Sequence, residues 1–171
     1  MKTSDICTNI AEAEDKDILT RPLFAVNIRL MRTSPGYRRL VEAACEYIAE
    51  CCRNEDPPGC GSYIGFSGAN AGIPWDIIAV KRNGRVEVMI NAQCNPAEGS
   101  VRVANWEGCG SMPDAGPMIV ERDSLINVGF YRPDGTRVDI AGVYGRGGAG
   151  FVIQHEVDHN DGILLTERRI E

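Results

Sequence analysis

The sequence predicts an α+β fold: antiparallel strands packed around a central C-terminal helix, with one amphipathic helix towards the N-terminus. Three observations predict it. Apolar residues recur at helical spacing through residues 37–52. Two hairpin-forming dipeptides, Asn83-Gly84 and Asp134-Gly135, separate short apolar runs. A final mixed stretch, residues 151–159, lies between a glycine run and Asp161-Gly162, which are start and stop signals for a helix.

The elements follow in order. Residues 1–17, with Glu12, Glu14, Asp15 and Asp17, read as a loose acidic arm on one domain covering 1–171, unlike a signal peptide or an Arg-rich transit peptide. Ile18-Leu19-Thr20-Arg21-Pro22-Leu23 is a short apolar entry with a proline stop. Ser34 then caps the first helix and Pro35 occupies its first turn. Leu40, Val41, Ala44, Cys45, Ile48 and Ala49 form its apolar stripe, and Pro57-Pro58-Gly59 ends it. Residues 63–74 are small and glycine-rich and expose their backbone. Strands are expected at 77–80 and 86–90 around the first hairpin turn, at 100–103, at 119–120, and at 125–131 and 136–143 around the second. Residues 145–150 are a flexible glycine run.

Composition excludes several classes. At 171 residues the chain has the length of one domain with a substantial core. A net charge of −6 without a basic stripe argues against nucleic acid as a partner. No apolar run approaches the ~20 residues of a membrane span. Seven cysteines without framework spacing point to a reducing cytoplasm, and their odd number leaves at least one thiol free.

The chemistry concentrates in His155-Glu156-Val157-Asp158-His159, which holds both histidines of the chain. On a helix, positions four apart share a face, so both imidazoles reach one metal ion. Glu156 is turned by about 100° from the first histidine, within reach of a water at the metal without having to ligate. The bland alternative is a solvated helix end with two surface histidines. Two ligands do not complete a site, and the third is open among Cys, Asp and Glu. Cys45, Cys51 and Cys52 belong to the first helix. Cys60 lacks zinc-site spacing, Cys7 lies in the arm, and Cys94 sits beside Asn95-Pro96. Cys109 stands apart in Glu107-Gly108-Cys109-Gly110-Ser111, a small and exposed stretch.

Together these motifs resemble the peptide deformylases, whose three motifs run GxGxAAxQ, EGCxS and HExDH. They stand here as Tyr63-Ile64-Gly65-Phe66-Ser67-Gly68-Ala69-Asn70, then the Cys109 stretch, then the histidine motif with Gln154 before it and Asp161-Gly162-Ile163-Leu164 after it. The first motif is degenerate. Asn70 replaces a glutamine, and Tyr63, Ser67 and Gly68 replace a glycine and two alanines. In the second, Gly110 stands where leucine is usual.

The resemblance implies a divalent metal held by Cys109, His155 and His159, with Fe(II) ahead of Zn, Ni or Co. It implies Glu156 as general base, with the Gly110 N–H and the Asn70 amide as donors to the developing oxyanion. Glu107 pairs with Arg122 to hold the Cys109 loop, where the plain alternative is a surface ion pair, and Asp158 faces solvent or steadies the helix. Gly65 offers a bare backbone edge to an extended peptide, and Phe151 and Val152 line an apolar pocket for a methionine side chain, or else are ordinary core. The implied enzyme is a cytoplasmic, monomeric hydrolase that removes the formyl group from N-formylmethionyl peptides, including nascent chains at the ribosome. The rivals are an HExxH-type endopeptidase, and an impaired or repurposed relative that binds peptide or another N-formyl compound.

Overall fold

The computed structural model describes residues 16–54, 63–82 and 84–170. The acidic arm through residue 15 with Cys7, the Pro57-Pro58-Gly59 break with Cys60, and Asn83 lie outside the described residues. Two antiparallel sheets form. The larger has five strands, β1 (Tyr63–Ser67), β2 (Ile77–Arg82), β3 (Arg85–Pro96), β6 (Leu125–Tyr131) and β7 (Arg137–Tyr144), in that spatial order. The smaller pairs β4 (Arg102–Glu107) with β5 (Met118–Asp123).

Burial explains the layering. Ile77, Ile78, Ala79 and Val80 are all buried, so β2 has protein on both faces. Ile77 and Ala79 point to one core, with Ile90 of β3 and the helix residues Val41, Ala44, Cys45, Ile48 and Cys52. Ile78 and Val80 point to the other, with Ile126, Val128, Phe130 and Ile153. The first core lies under α2 (Pro35–Asn54), where Tyr37 N–H donates to Ser34 Oγ at 3.4 Å as a weak cap. The second lies under α3 (Gly150–Asn160), the histidine helix. Ile153 anchors that helix at 2 % exposure; its truncation to alanine is worth about 2–5 kcal/mol.

Several elements differ from expectation. Residues 63–67 are a strand, because each pairs with a partner on β2 from Arg82 to Ile78. A six-residue helix, α1 (Ile28–Thr33), precedes α2; Asn27 Oδ1 caps it by accepting from Leu30 N–H at 2.9 Å. Leu40 is 41 % exposed and leaves the apolar stripe. β3 runs on to Pro96 because its far end pairs with β6 past an irregularity between Ile90 and Gln93. Asn91 lies within that irregularity at φ 51°. Its side chain accepts from Val26 N–H at 2.7 Å and donates to Val26 O at 2.9 Å, pinning the segment ahead of α1 to the sheet. The same segment is tied to α3, where Leu23 N–H donates to Asn160 O at 2.7 Å. None of the described helices is long and apolar enough to cross a membrane.

Candidate active site

The helical spacing delivers both imidazoles to one place. Their Nε2 atoms are 3.1 Å apart, and Cys109 Sγ, from the loop after β4, lies 3.2 Å from His159 Nε2. The three ligand atoms fall within 4.8 Å of one another. Gln154 fixes the helix against β5: Asp123 N–H donates to its Oε1, and its Nε2 donates to Asp123 O, both at 2.9 Å.

An ion-pair chain stands behind the ligands. His155 Nδ1 is 3.0 Å from Glu107 Oε2, which leaves Nε2 as the ligating atom. Arg122 donates to Glu107 through Nε at 3.0 Å and Nη2 at 2.9 Å, and through Nη1 to Asp158. Arg168 completes the chain, donating to Asp158 through Nε at 3.0 Å and Nη2 at 2.6 Å. The expected Glu107–Arg122 pair is present, and two plainer alternatives fall away. The Glu107–Arg122 pair is not at the surface, since Arg122 is 3 % exposed. Asp158 does not face solvent; it is buried because two arginines neutralise it.

Electrostatics suit a cation between the ligands. Burial raises the Cys109 thiol, but hydrogen bonds and charge from His155 and His159 outweigh it and pull the thiol down to about 5. Burial likewise raises Glu107, and His155 and Arg122 bring it down to about 2. One thiolate and two imidazoles converge with their ligating atoms turned to one another, so the residues fit a divalent transition metal. His159 Nδ1 is buried without a hydrogen-bond partner among the described residues.

Glu156 is buried beside the ligands, and its Oε2 has no hydrogen-bond partner among the described residues. Burial, the largest influence, raises its pKa. Gly65 explains how the carboxylate fits, since a Cβ there would overlap Glu156 Oε1 and Cγ and Val152 Cγ1. Gly65 also lies on an edge strand, as among the described residues β1 pairs with β2 alone. A cavity of about 900 Å³ opens over these groups, and Gly65, Asn70, Gly110, Phe151 and Val152 all line it. Phe151 packs against Gly145, where a Cβ would strike its ring. Nothing crowds Gly110 within 4 Å of a built Cβ.

Asn70 is held at both ends. Its Oδ1 accepts from Ser67 N–H at 2.9 Å and from Ser67 Oγ at 2.5 Å, and its Nδ2 donates to Ser111 Oγ. In sequence, Asp158 is weighed as a support behind the ligands and Ser111 stands only as a motif residue, while Arg168 gives no signal. Only the short distance of Asp158 from His159, and of Ser111 from Cys109, pointed towards the first two.

Comparisons with known proteins agree with this geometry. The family model described as polypeptide deformylase matches residues 8–171. A peptide deformylase of Thermodesulfovibrio yellowstonii is 30% identical over 112 residues, a stretch covering 61% of this chain and 63% of that protein. The actinonin-bound class I type b peptide deformylase of Acinetobacter baumannii is 26% identical with a TM-score of 0.67, over 91% of this chain and 93% of that one. The same enzyme bound to another ligand shares the fold at a TM-score of 0.68 and 24% identity, over 91% and 94% of the two chains. Matched by the family model along nearly its whole length, this chain belongs to the polypeptide deformylase family.

Proposed function

We propose that this protein is a metal-dependent hydrolase that removes the formyl group from N-terminal formylmethionine of newly made peptides. The observation that carries the reading is the pairing of three convergent ligands with an unpartnered carboxylate oxygen in one open cleft. Cys109, His155 and His159 hold the metal, Fe(II) ahead of Zn, Ni or Co, since a thiolate with two imidazoles accommodates each. When bound, the ion supplies Lewis acidity towards the formyl oxygen and the attacking water.

The remaining work falls to the chain. Glu156 takes a proton from the water as its oxygen bonds to the formyl carbon. The Gly110 N–H and the Asn70 amide donate to the oxygen that gains charge. The carbon–nitrogen bond then breaks, Glu156 returns its proton to the departing amine, and formate leaves. Glu107 orients His155, and Arg122 and Asp158 hold Glu107 in turn. The peptide backbone extends along the free edge of β1 at Gly65, and its methionine side chain sits against Phe151 and Val152. The chain acts as one catalytic domain, monomeric and cytoplasmic, on nascent chains.

The test is formate release from formyl-Met-Ala-Ser by anaerobically purified protein, with metal content measured beside it. The wild type releases formate. Glu156→Gln keeps its metal and loses about 10²–10⁴-fold in kcat. A variant that kept the wild-type rate, or cleavage of unformylated peptides at internal bonds, would overturn the reading.

A further inference from the structure

We infer that Ser67 is a positioning residue for the Asn70 amide, and that Ser67, Asn70 and Ser111 form one rebuilt donor arm over the cleft. The inference rests on the role proposed above for Asn70. Ser67 ends β1 with 0 % exposure, so its hydroxyl is satisfied only by protein. That hydroxyl donates to Asn70 Oδ1 at 2.5 Å, the Ser67 N–H donates to the same oxygen at 2.9 Å, and Asn70 N–H donates back to Ser67 Oγ at 3.3 Å. Both acceptor positions of the amide oxygen are therefore filled from the Ser67 side. The NH2 group has to point the other way.

It points to Ser111, two residues after Cys109, on a segment 41 residues away in sequence. An amide nitrogen carries two protons, and Ser111 takes one. The other is available to the cleft that Asn70 and Ser111 both line. A serine that merely closed a local turn with Asn70 would not need this second anchor on the loop of the metal ligand.

Side-chain volume makes the arrangement testable. Ser67 and Asn70 stand where the motif they resemble carries alanine and glutamine. Adding Oγ at position 67 while removing one methylene at position 70 keeps the number of heavy atoms in the pair constant. A glutamine at 70 collides with the Ser67 hydroxyl; alanine at 67 leaves a shorter asparagine guided by the backbone N–H alone.

The experiment is a double-mutant cycle on formyl-Met-Ala-Ser, with kcat, KM and metal content measured for each protein. Ser67→Ala and Asn70→Gln are each expected to lower kcat about 10-fold or more with KM and metal content unchanged, a fraction of the ~10²–10³ lost when such a donor is removed. The double variant S67A/N70Q is expected to recover to within about threefold of wild type. Wild-type kcat in Ser67→Ala, or losses that simply multiply in the double variant, overturns the inference. Asn70→Ala separates the two readings: unchanged kcat there removes the oxyanion role itself, whereas a large loss there with a neutral Ser67→Ala removes only the positioning. If Ser67→Ala does not fold, Ser111→Ala is read in its place, with the same expected fall in kcat, and wild-type kcat overturns the inference.

Discussion

Gly65 shows how much one missing methyl group decides. Its hydrogen occupies the space beside Glu156 and Val152 that a Cβ would fill. Gly65→Ala therefore displaces the carboxylate without touching a metal ligand. Formate release is expected to fall about 10-fold or more while one equivalent of metal is retained, since small misplacements of a reacting group are costly. A variant with wild-type kcat would show that Glu156 has another place to go. Asp158 makes the complementary point. Its position between two histidine-helix turns looks solvent-facing in sequence, yet its carboxylate is buried by Arg122 and Arg168, whose sequence separations are 36 and 10 residues. No periodicity in the helix reports partners so placed.

At the scale of elements, the segment Leu165–Ile170 works as a brace. Leu165 is buried against Met118 and Val120, with Cys109 and Met112 packed alongside. Ile170 N–H donates to Ile119 O at 3.0 Å, and Arg168 reaches Asp158. Arg168→Ala removes one of the two charges that balance Asp158, and metal affinity is expected to weaken about 10-fold. Competition with a chelator measures it, with the exposed neighbour variant Arg169→Ala as control; equal affinities would assign the brace to packing alone.

A second joint, between β2 and α3, is sensitive to pH. Burial, opposed by the Asn160 hydrogen bond and aided by Asp161, raises Asp76 from 3.8 to about 6. The folded state thus binds the proton more tightly than the unfolded state, and stability falls as pH rises from about 4 to about 6, by about 3 kcal/mol at most. Asp76→Asn is expected to leave stability at pH 4 unchanged and to raise it at pH 7. Denaturation curves at the two pH values check this; an equal gain at both would mean that Asp76 titrates normally.

For the whole molecule, the three residues that could hold a metal come from two elements that it would join, α3 and the loop after β4. Chelation is expected to lower the melting temperature by about 10 °C, taking about 4 kcal/mol of linkage at metal a thousandfold above its Kd and about 2–4 °C per kcal/mol. A melting temperature indifferent to chelation would mean that the two elements hold the ligands unaided. The architecture was largely legible in sequence because its signals are local: the i, i+4 histidines, the hairpin turn dipeptides, and the stripe of α2. What was not legible is non-local. β1 holds Tyr63, Ile64 and Phe66 but is interrupted by Gly65 and followed by a glycine-rich stretch, and its pairing with β2 makes it a strand. β3 outruns its apolar core because β6 pairs with Gln93, Cys94, Asn95 and Pro96. Among site residues, Glu107 and Arg122 were found by resemblance, but their burial depends on α3 covering them.

The brace also sets an order in time. Cys109 and both histidines are translated before Leu165, and the hairpin that carries Cys109 gains one of its grips only once Leu165–Ile170 lies along β5. While that segment is still inside the ribosomal exit tunnel, the metal site therefore lacks that grip. Its full rigidity arrives only when that segment is in place, and a metal that loads earlier meets a looser site.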